Sequence, residues 1–183
     1  MLAAVFGLHG TGEEGVRAAV RATARSSVVL FLLVFTASSL RRLRPVPATA
    51  WLLRNRRYVG VWFAVSHALH LGTIVVLARW WPHPFFDREG NLLTLVGGGL
   101  AFVFIAILAA TSSDRAVRAL GGRRWRRLHT VGIYYVWVIF TQAYLVRALR
   151  APGAALLAGA LLLGLAVRLA GKRRATHATP APA

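Results

Sequence analysis

Three histidines and an amide stand in surroundings where polar chemistry is costly. His67 and His70 lie in AVSHALHLG, three residues apart, so a helix would put them at neighbouring positions on one face. His129 opens a second apolar run, with Gln142 deep in it and Tyr144 just beyond. Imidazole offers two chemistries in such a place: relay of a proton, and ligation of iron through a neutral ring nitrogen. The plain alternative is a hydrogen bond between helices. That role suits a lone histidine. A pair at this spacing, in a basic chain without cysteine, points instead to a haem.

These side chains need helices to hold them. Four segments lack Lys, Arg, Asp and Glu over roughly the length that crosses a bilayer. They run from Tyr58 to Ala78, Asn91 to Ser113, Leu128 to Val146 and Ala151 to Val167. A fifth, Ser26 to Leu40, is short. It suffices if it starts near Ala22 and Arg25 snorkels to the interface. The expected fold class is all-α, a polytopic membrane helix bundle of about five transmembrane helices. Residues 1–21 are expected as an N-terminal extracytoplasmic segment, 22–170 as the bundle and 171–183 as a disordered basic cytoplasmic tail. The start of the chain has no basic n-region, and Glu13 and Glu14 precede the first long apolar run, so no cleavable signal peptide is expected.

Composition agrees. The chain is 57% apolar yet carries a net charge of +18, so bare apolar runs alternate with basic loops. Nucleic-acid binding, the other common source of such a charge, does not fit runs this long. The absence of cysteine excludes disulfides, thiolate metal sites and cysteine nucleophiles. Three stretches, Arg41 to Arg57, Asp114 to Arg127 and the tail from Arg168, hold 16 of the 23 Lys+Arg. They alternate correctly for one face of a five-helix chain. The positive-inside rule puts that face in the cytoplasm, with the N-terminus outside and the C-terminus cytoplasmic, in a bacterial inner (plasma) membrane. Four of the five acids, Glu13, Glu14, Asp87 and Glu89, then face outward. Trp51 and Trp125 fall near the inner interface, and Trp80 and Trp81 near the outer one. The basic loops read first as topology determinants that attract anionic lipid. Arg57 and Arg124, with Arg56, Arg123, Arg126 and Arg127, are also candidates to hold haem propionates.

Depth separates the candidate ligands. His70 is 13 residues past Arg57, about 20 Å from the inner boundary at 1.5 Å per residue. Gln142 is 15 residues past Arg127, about 22 Å from it, whereas His129 is only about 3 Å away. His70 and His129 therefore do not clamp one haem. If both ligate iron, they serve different haems.

Two segments resemble a known family. RRYVGVWFAVSHALHLG is similar to the second-helix signature of the ferric reductase-like transmembrane family, and GGRRWRRLH to the opening of a later helix there. Within that family the resemblance points to the haem-binding membrane subunits of bacterial periplasmic methionine-sulfoxide reductase systems. The matching positions are Arg56, Arg57, Gly60 and His70, then Thr111, Ser112, Gly122, Arg124, Trp125, Leu128 and His129. Arg25 corresponds to a first-helix arginine. The resemblance covers about residues 23 to 147. It implies haem b, one or two, with electrons passing across the membrane to an outer-face acceptor protein. The family carries a second histidine deeper in the helix that the LH motif opens. Here the corresponding position is Gln142. Three arrangements follow: a five-coordinate haem at His70 with Gln142 or Tyr144 near its open side, a different ligand from His67 or His83, or loss of that haem. A neutral amide is a poor iron ligand, which favours the first.

The expected role is thus an integral-membrane b-type haem protein, with His70 and His129 as metal ligands and His67, Gln142, Tyr144, Arg57 and Arg124 around the cofactor. The alternative is a non-haem membrane scaffold or binding protein with the same fold. A proton channel is disfavoured by the near absence of intramembrane acids. No dinucleotide or flavin fingerprint is present, so quinone or flavin has no motif behind it, and the donor is a separate flavoprotein or quinol. Membrane lipid is the remaining partner, with no nucleic acid.

Overall fold

The computed structural model describes residues 1–83, 85 and 92–177. Asp87, Glu89, Asn91 and the tail from residue 178, all of which carry expectations above, lie outside them. The described chain is helical throughout: α1 Leu2–His9, α2 Glu13–Leu43, α3 Pro47–Arg54, α4 Arg56–Trp80, α5 Leu92–Ala110, α6 Asp114–Leu120, α7 Gly122–Ala148 and α8 Pro152–His177. Among them α2, α4, α7 and α8 are long and apolar enough to cross a membrane. Thr94–Ala110 and Asp114–Leu120, bent by 101°, make a fifth span if counted together.

The first span differs most from expectation. The sequence suggests a short apolar run from about Ala22, but α2 starts at Glu13 and has 31 residues. Glu13 and Glu14 favour the positive end of the helix dipole. Glu13 also accepts from Arg17 Nε at 2.7 Å, one turn on. Farther along, Thr23 and Ser27 satisfy their hydroxyls on the carbonyls of Ala19 and Thr23, four residues back. The helix thus runs on through a polar stretch without stranding its hydroxyls.

The chain divides into two compact units. The first comprises Met1–Val29 and Val61–Ile139. One of its buried clusters joins Val16, Leu77 and Phe85, with Phe6, Val20, Ile74, Ala78 and Trp81 packed around them. Phe6, Val16 and Val20, within residues 1–21, thus contribute to this unit's core. The second unit comprises Leu30–Gly60 and Phe140–Ala183. Its core stacks Phe31 on Phe35 at 5.3 Å and sets Phe31 edge-on to Phe140 at 5.3 Å, with Leu161 fully buried.

The basic loops are themselves helical. Pro47 opens α3, where its missing N–H costs nothing. The break between α5 and α6 is made by local bonds. Thr111 and Ser112 donate back to Ile107 and Leu108 carbonyls at 2.7 and 2.6 Å, and Ser113 caps α6 by accepting from Ala116 N–H at 3.1 Å. Gly121, at φ 75, then lets the chain leave α6.

At the start of the expected tail, α8 continues through Lys172, Arg173 and Arg174 to His177. Two contacts in the second unit hold that extension to α2. Arg174 Nη1 donates to the Leu43 carbonyl at 3.2 Å. Gly171 approaches so closely that an added Cβ would lie 2.5 Å from Ser39 Cβ and 2.8 Å from its Cα. Gly171→Ala is therefore expected to lower stability by about 1–3 kcal/mol through overpacking against backbone. Gly159, with nothing within 4 Å of an added Cβ, is the control. Gly159→Ala is expected to be neutral or stabilising. Thermal or SDS unfolding of detergent-purified protein measures both.

Candidate functional site

The candidate site lies in the first unit, on α4 against α2 and α5. His67 is buried and half-buried His70 lies one turn on, their ring centroids 5.3 Å apart. Phe102 from α5 stacks on His67 at 4.4 Å and lies 6.2 Å from His70. Phe63 lies 5.8 Å from His67 on its other side along the helix. Hydroxyls gather on the facing turns of α2 and α4. Ser26 and Ser27 each lie 3.0 Å from Ser66 Oγ, and Thr23 lies 3.1 Å from His70 Nδ1.

The Thr23 contact bears on the tautomer of His70. A threonine hydroxyl has one proton and two lone pairs. Thr23 Oγ1 lies within hydrogen-bond distance of backbone carbonyls of its own helix, Ala19 at 2.8 Å and Val20 at 3.1 Å. With its proton on one of those carbonyls it accepts from His70 Nδ1, the tautomer that leaves the imidazole lone pair on Nε2. A hydrogen bond of this type, from the nitrogen that does not bind metal, orients an imidazole for ligation through the other. Thr73 adds a second tie: its hydroxyl donates to the His70 carbonyl at 2.8 Å.

His129 is held the opposite way. Thr111 Oγ1 donates to the Ile107 carbonyl at 2.7 Å and lies 3.0 Å from His129 Nε2. With the hydroxyl proton on that carbonyl, Nε2 is the protonated ring nitrogen. Trp125 stacks on the same ring at 4.2 Å, and its indole N–H donates to the Thr111 carbonyl at 2.8 Å. The bend between α5 and α6 delivers Thr111 to this pair. Deeper in the unit, Tyr135 donates to the Gly97 carbonyl at 3.2 Å, and its ring lies 4.8 Å from Phe104. Gly97 belongs to the glycine triplet of α5.

The other expected site residues divide between the units. Gln142, half-buried, and Tyr144, buried, belong to the second. Arg57 is exposed in the second unit, and Arg124 is exposed in the first. His83 is exposed. Among the described residues no three of His, Cys, Asp and Glu come together as a metal-ion site. Axial ligation of a haem needs only one or two such groups, so the donor set of His70 suits that cofactor better than a bare ion.

Sequence reasoning passed over Thr23, Ser26, Ser27, Ser66 and Phe102. The signal was present in part: Thr23, Ser26 and Ser27 recur at three- and four-residue spacing beside an apolar run, which marks one polar stripe on a helix.

No family model matches the chain, and no solved structure matches it. Several similar sequences carry the name protein-methionine-sulfoxide reductase heme-binding subunit MsrQ. That of Azospira oryzae is 33% identical over 112 residues, covering 56% of this chain and 48% of the relative. That of Ralstonia nicotianae is 31% identical over 134 residues, covering 69% and 60%. That of Herminiimonas arsenicoxydans is 34% identical over 108 residues, covering 52% and 47%. With these relatives and its apolar helices, the chain is a multi-pass protein of the bacterial inner membrane. By sequence it stands near the heme-binding subunits of protein-methionine-sulfoxide reductases, and it spans about half to three fifths of the length of those curated relatives.

Proposed function

We propose that this chain holds haem b in the bacterial inner membrane and carries electrons across it, with His70 as an axial ligand. One observation supports the reading: His70 Nδ1 lies 3.1 Å from the Thr23 hydroxyl, itself 2.8 Å from the Ala19 carbonyl, an arrangement that suits Nδ1–H and a lone pair on Nε2. The relatives named for haem binding support it. When bound, the haem supplies one-electron chemistry.

The chain's own residues do the rest. Thr23 orients the ligand ring, and Thr73 ties the turn that bears it. Phe102, Phe63 and His67 provide an apolar, aromatic wall that excludes water and lowers the local dielectric. Gln142 stands where the resembling family has histidine, so His70 would be the strong imidazole that holds the cofactor. His129 would serve a second haem through Nδ1. Arg57 and Arg124 would meet propionates at the basic face. The count of Lys and Arg supports an outer N-terminus and a cytoplasmic C-terminus. A separate flavoprotein or quinol then gives electrons to the chain, and a protein on the outer face receives them.

The test is an absorption spectrum of detergent-purified protein, oxidised and then reduced with dithionite. A Soret band is expected. His70→Ala should abolish bound haem, and His129→Ala should leave at least part of it. Gln142→His should raise occupancy or convert the spectrum to six-coordinate low-spin. Full haem in His70→Ala would overturn the assignment. Colourless protein from cells with ample haem would favour the non-haem scaffold.

The tautomer can be read without haem. In 15N-histidine spectra, His70 should be the Nδ1–H form. Thr23→Val should move it toward Nε2–H, changing the tautomer ratio about two- to tenfold for a hydrogen bond of roughly 0.5–1.5 kcal/mol. Thr23→Ser should restore the wild-type ratio.

A further inference from the structure

In the second unit the side-chain charges have one sign. Segments 30–60 and 140–183 hold twelve Lys+Arg and no Asp or Glu. Two of these cations turn into the unit. Arg56 donates Nε–H to the Val34 carbonyl at 3.1 Å and Nη1–H to Ser38 Oγ at 3.2 Å. Arg168 donates Nη1–H to the Phe35 carbonyl at 2.6 Å, and its guanidinium lies 4.6 Å over the Phe35 ring. The accepting carbonyls are consecutive on α2, so cations from α4 and α8 converge on one helical turn.

Carbonyls, a hydroxyl and a ring face give hydrogen bonds and polarisation, but no negative charge. Two like charges drawn together in part-buried surroundings repel, and a shared anion would offset that repulsion. The level of the pair says where an anion would come from. The charge-free run of α2 ends at Leu40, five residues past Phe35, that of α4 starts after Arg57, and that of α8 ends at Val167. The two arginines thus stand where the runs of α4 and α8 stop, about 8 Å along α2 from the end of its own run, within reach of lipid headgroups.

We propose that Arg56 and Arg168 form a binding site for the phosphate of an anionic phospholipid headgroup. The planar forks of two guanidiniums suit phosphate oxygens. The surrounding Arg41, Arg42, Arg44, Lys172, Arg173 and Arg174 add a field that selects a net negative lipid over a zwitterionic one. The site does not depend on haem.

The test titrates the delipidated full chain in detergent with phosphatidylglycerol or phosphatidylcholine and reads bound lipid by native mass spectrometry. One phosphatidylglycerol, bound in preference to phosphatidylcholine, is expected. The double substitution Arg56→Gln and Arg168→Gln should weaken phosphatidylglycerol binding by about tenfold or more, two charge-assisted contacts being lost. Arg147→Gln with Arg150→Gln, both exposed and outside that cluster, should change it by no more than about twofold. Should the glutamine pair fail to fold, Arg56→Lys with Arg168→Lys keeps the charge and removes the forks, and weaker binding is again expected. Equal affinity for the two lipids, or undiminished binding in a folded double variant, overturns the site. Titration before and after haem loading separates the remaining source of anionic oxygens. Lipid bound in both states supports the proposal. Lipid expelled by haem assigns the guanidiniums to the cofactor's carboxylates and overturns it.

Discussion

A hydroxyl has one proton to give, and Thr23 gives its proton to its own helix. Every arrangement around the candidate ligand follows from that. Inside a bilayer the backbone cannot turn to water, so a hydroxyl on an apolar helix bonds the carbonyl one turn back. What it then offers its neighbour is a lone pair. The neighbour of Thr23 is an imidazole nitrogen 3.1 Å away, which answers with a proton when the hydroxyl bonds its own helix. Under the proposed function the ring nitrogen left for iron is then chosen on α2, far in sequence from the histidine itself. Thr111 stands in the same relation to His129, against Nε2 instead of Nδ1.

The same rule explains how polar helices pack where apolar contact with lipid gives helices no reason to associate. Ser26, Ser27 and Ser66 form a hydroxyl cluster in the first unit, and Ser26 and Ser27 both donate to the Thr23 carbonyl. Their small side chains admit close approach, and their lone pairs supply the link. In the second unit the linking groups are cationic. Arg56, Arg168 and Arg174 reach carbonyls of α2 at Val34, Phe35 and Leu43. Neutral hydroxyls thus join helices around the histidines, and guanidiniums join them where the basic loops meet the apolar runs.

Much of this was legible in the sequence, for identifiable reasons. Absence of charge over a fixed length is a one-dimensional property, so the spans could be read directly, and so could the pairing of His67 with His70 on one face. The start of α2 could not. Its first turns hold Glu13, Arg17, Arg21 and Arg25, whose charges hide a helix that a hydropathy reading begins near Ala22. The bend at Thr111 was hidden because it comes from hydroxyl back-bonding and a cap at Ser113, and the apolar run itself shows no break. Thr23 was missed because its role depends on which residue faces it, a fact of packing between α2 and α4. The helical extent of α8 past Gly171 likewise rests on contacts with Ser39 and Leu43, more than a hundred residues earlier.

The neutrality of the hydroxyl partner bears on redox behaviour under the proposed function. A carboxylate accepting from a ligand histidine draws the imidazole toward imidazolate and makes it a stronger donor to iron. Thr23 has no charge, and its oxygen is an ordinary acceptor, so it does not draw the His70 ring toward imidazolate. The aromatic wall of Phe63, His67 and Phe102 adds no negative charge either. An oxidised iron centre carries one more positive charge than a reduced one, and a neutral, low-dielectric surrounding does little to stabilise it. Both effects act in one direction, toward a higher potential than the same ligand would have beside a carboxylate. The composition of the first unit is consistent with this: Glu13 and Glu14 stand in the first turn of α2 and Asp114 in the first turn of α6. In sequence no acid lies between Glu14 and Asp87, the stretch that contains Thr23, His67 and His70. The chain thus keeps its acids off the helical stretch that contains Thr23, His67 and His70, which under the proposed function acts in the same direction on the potential.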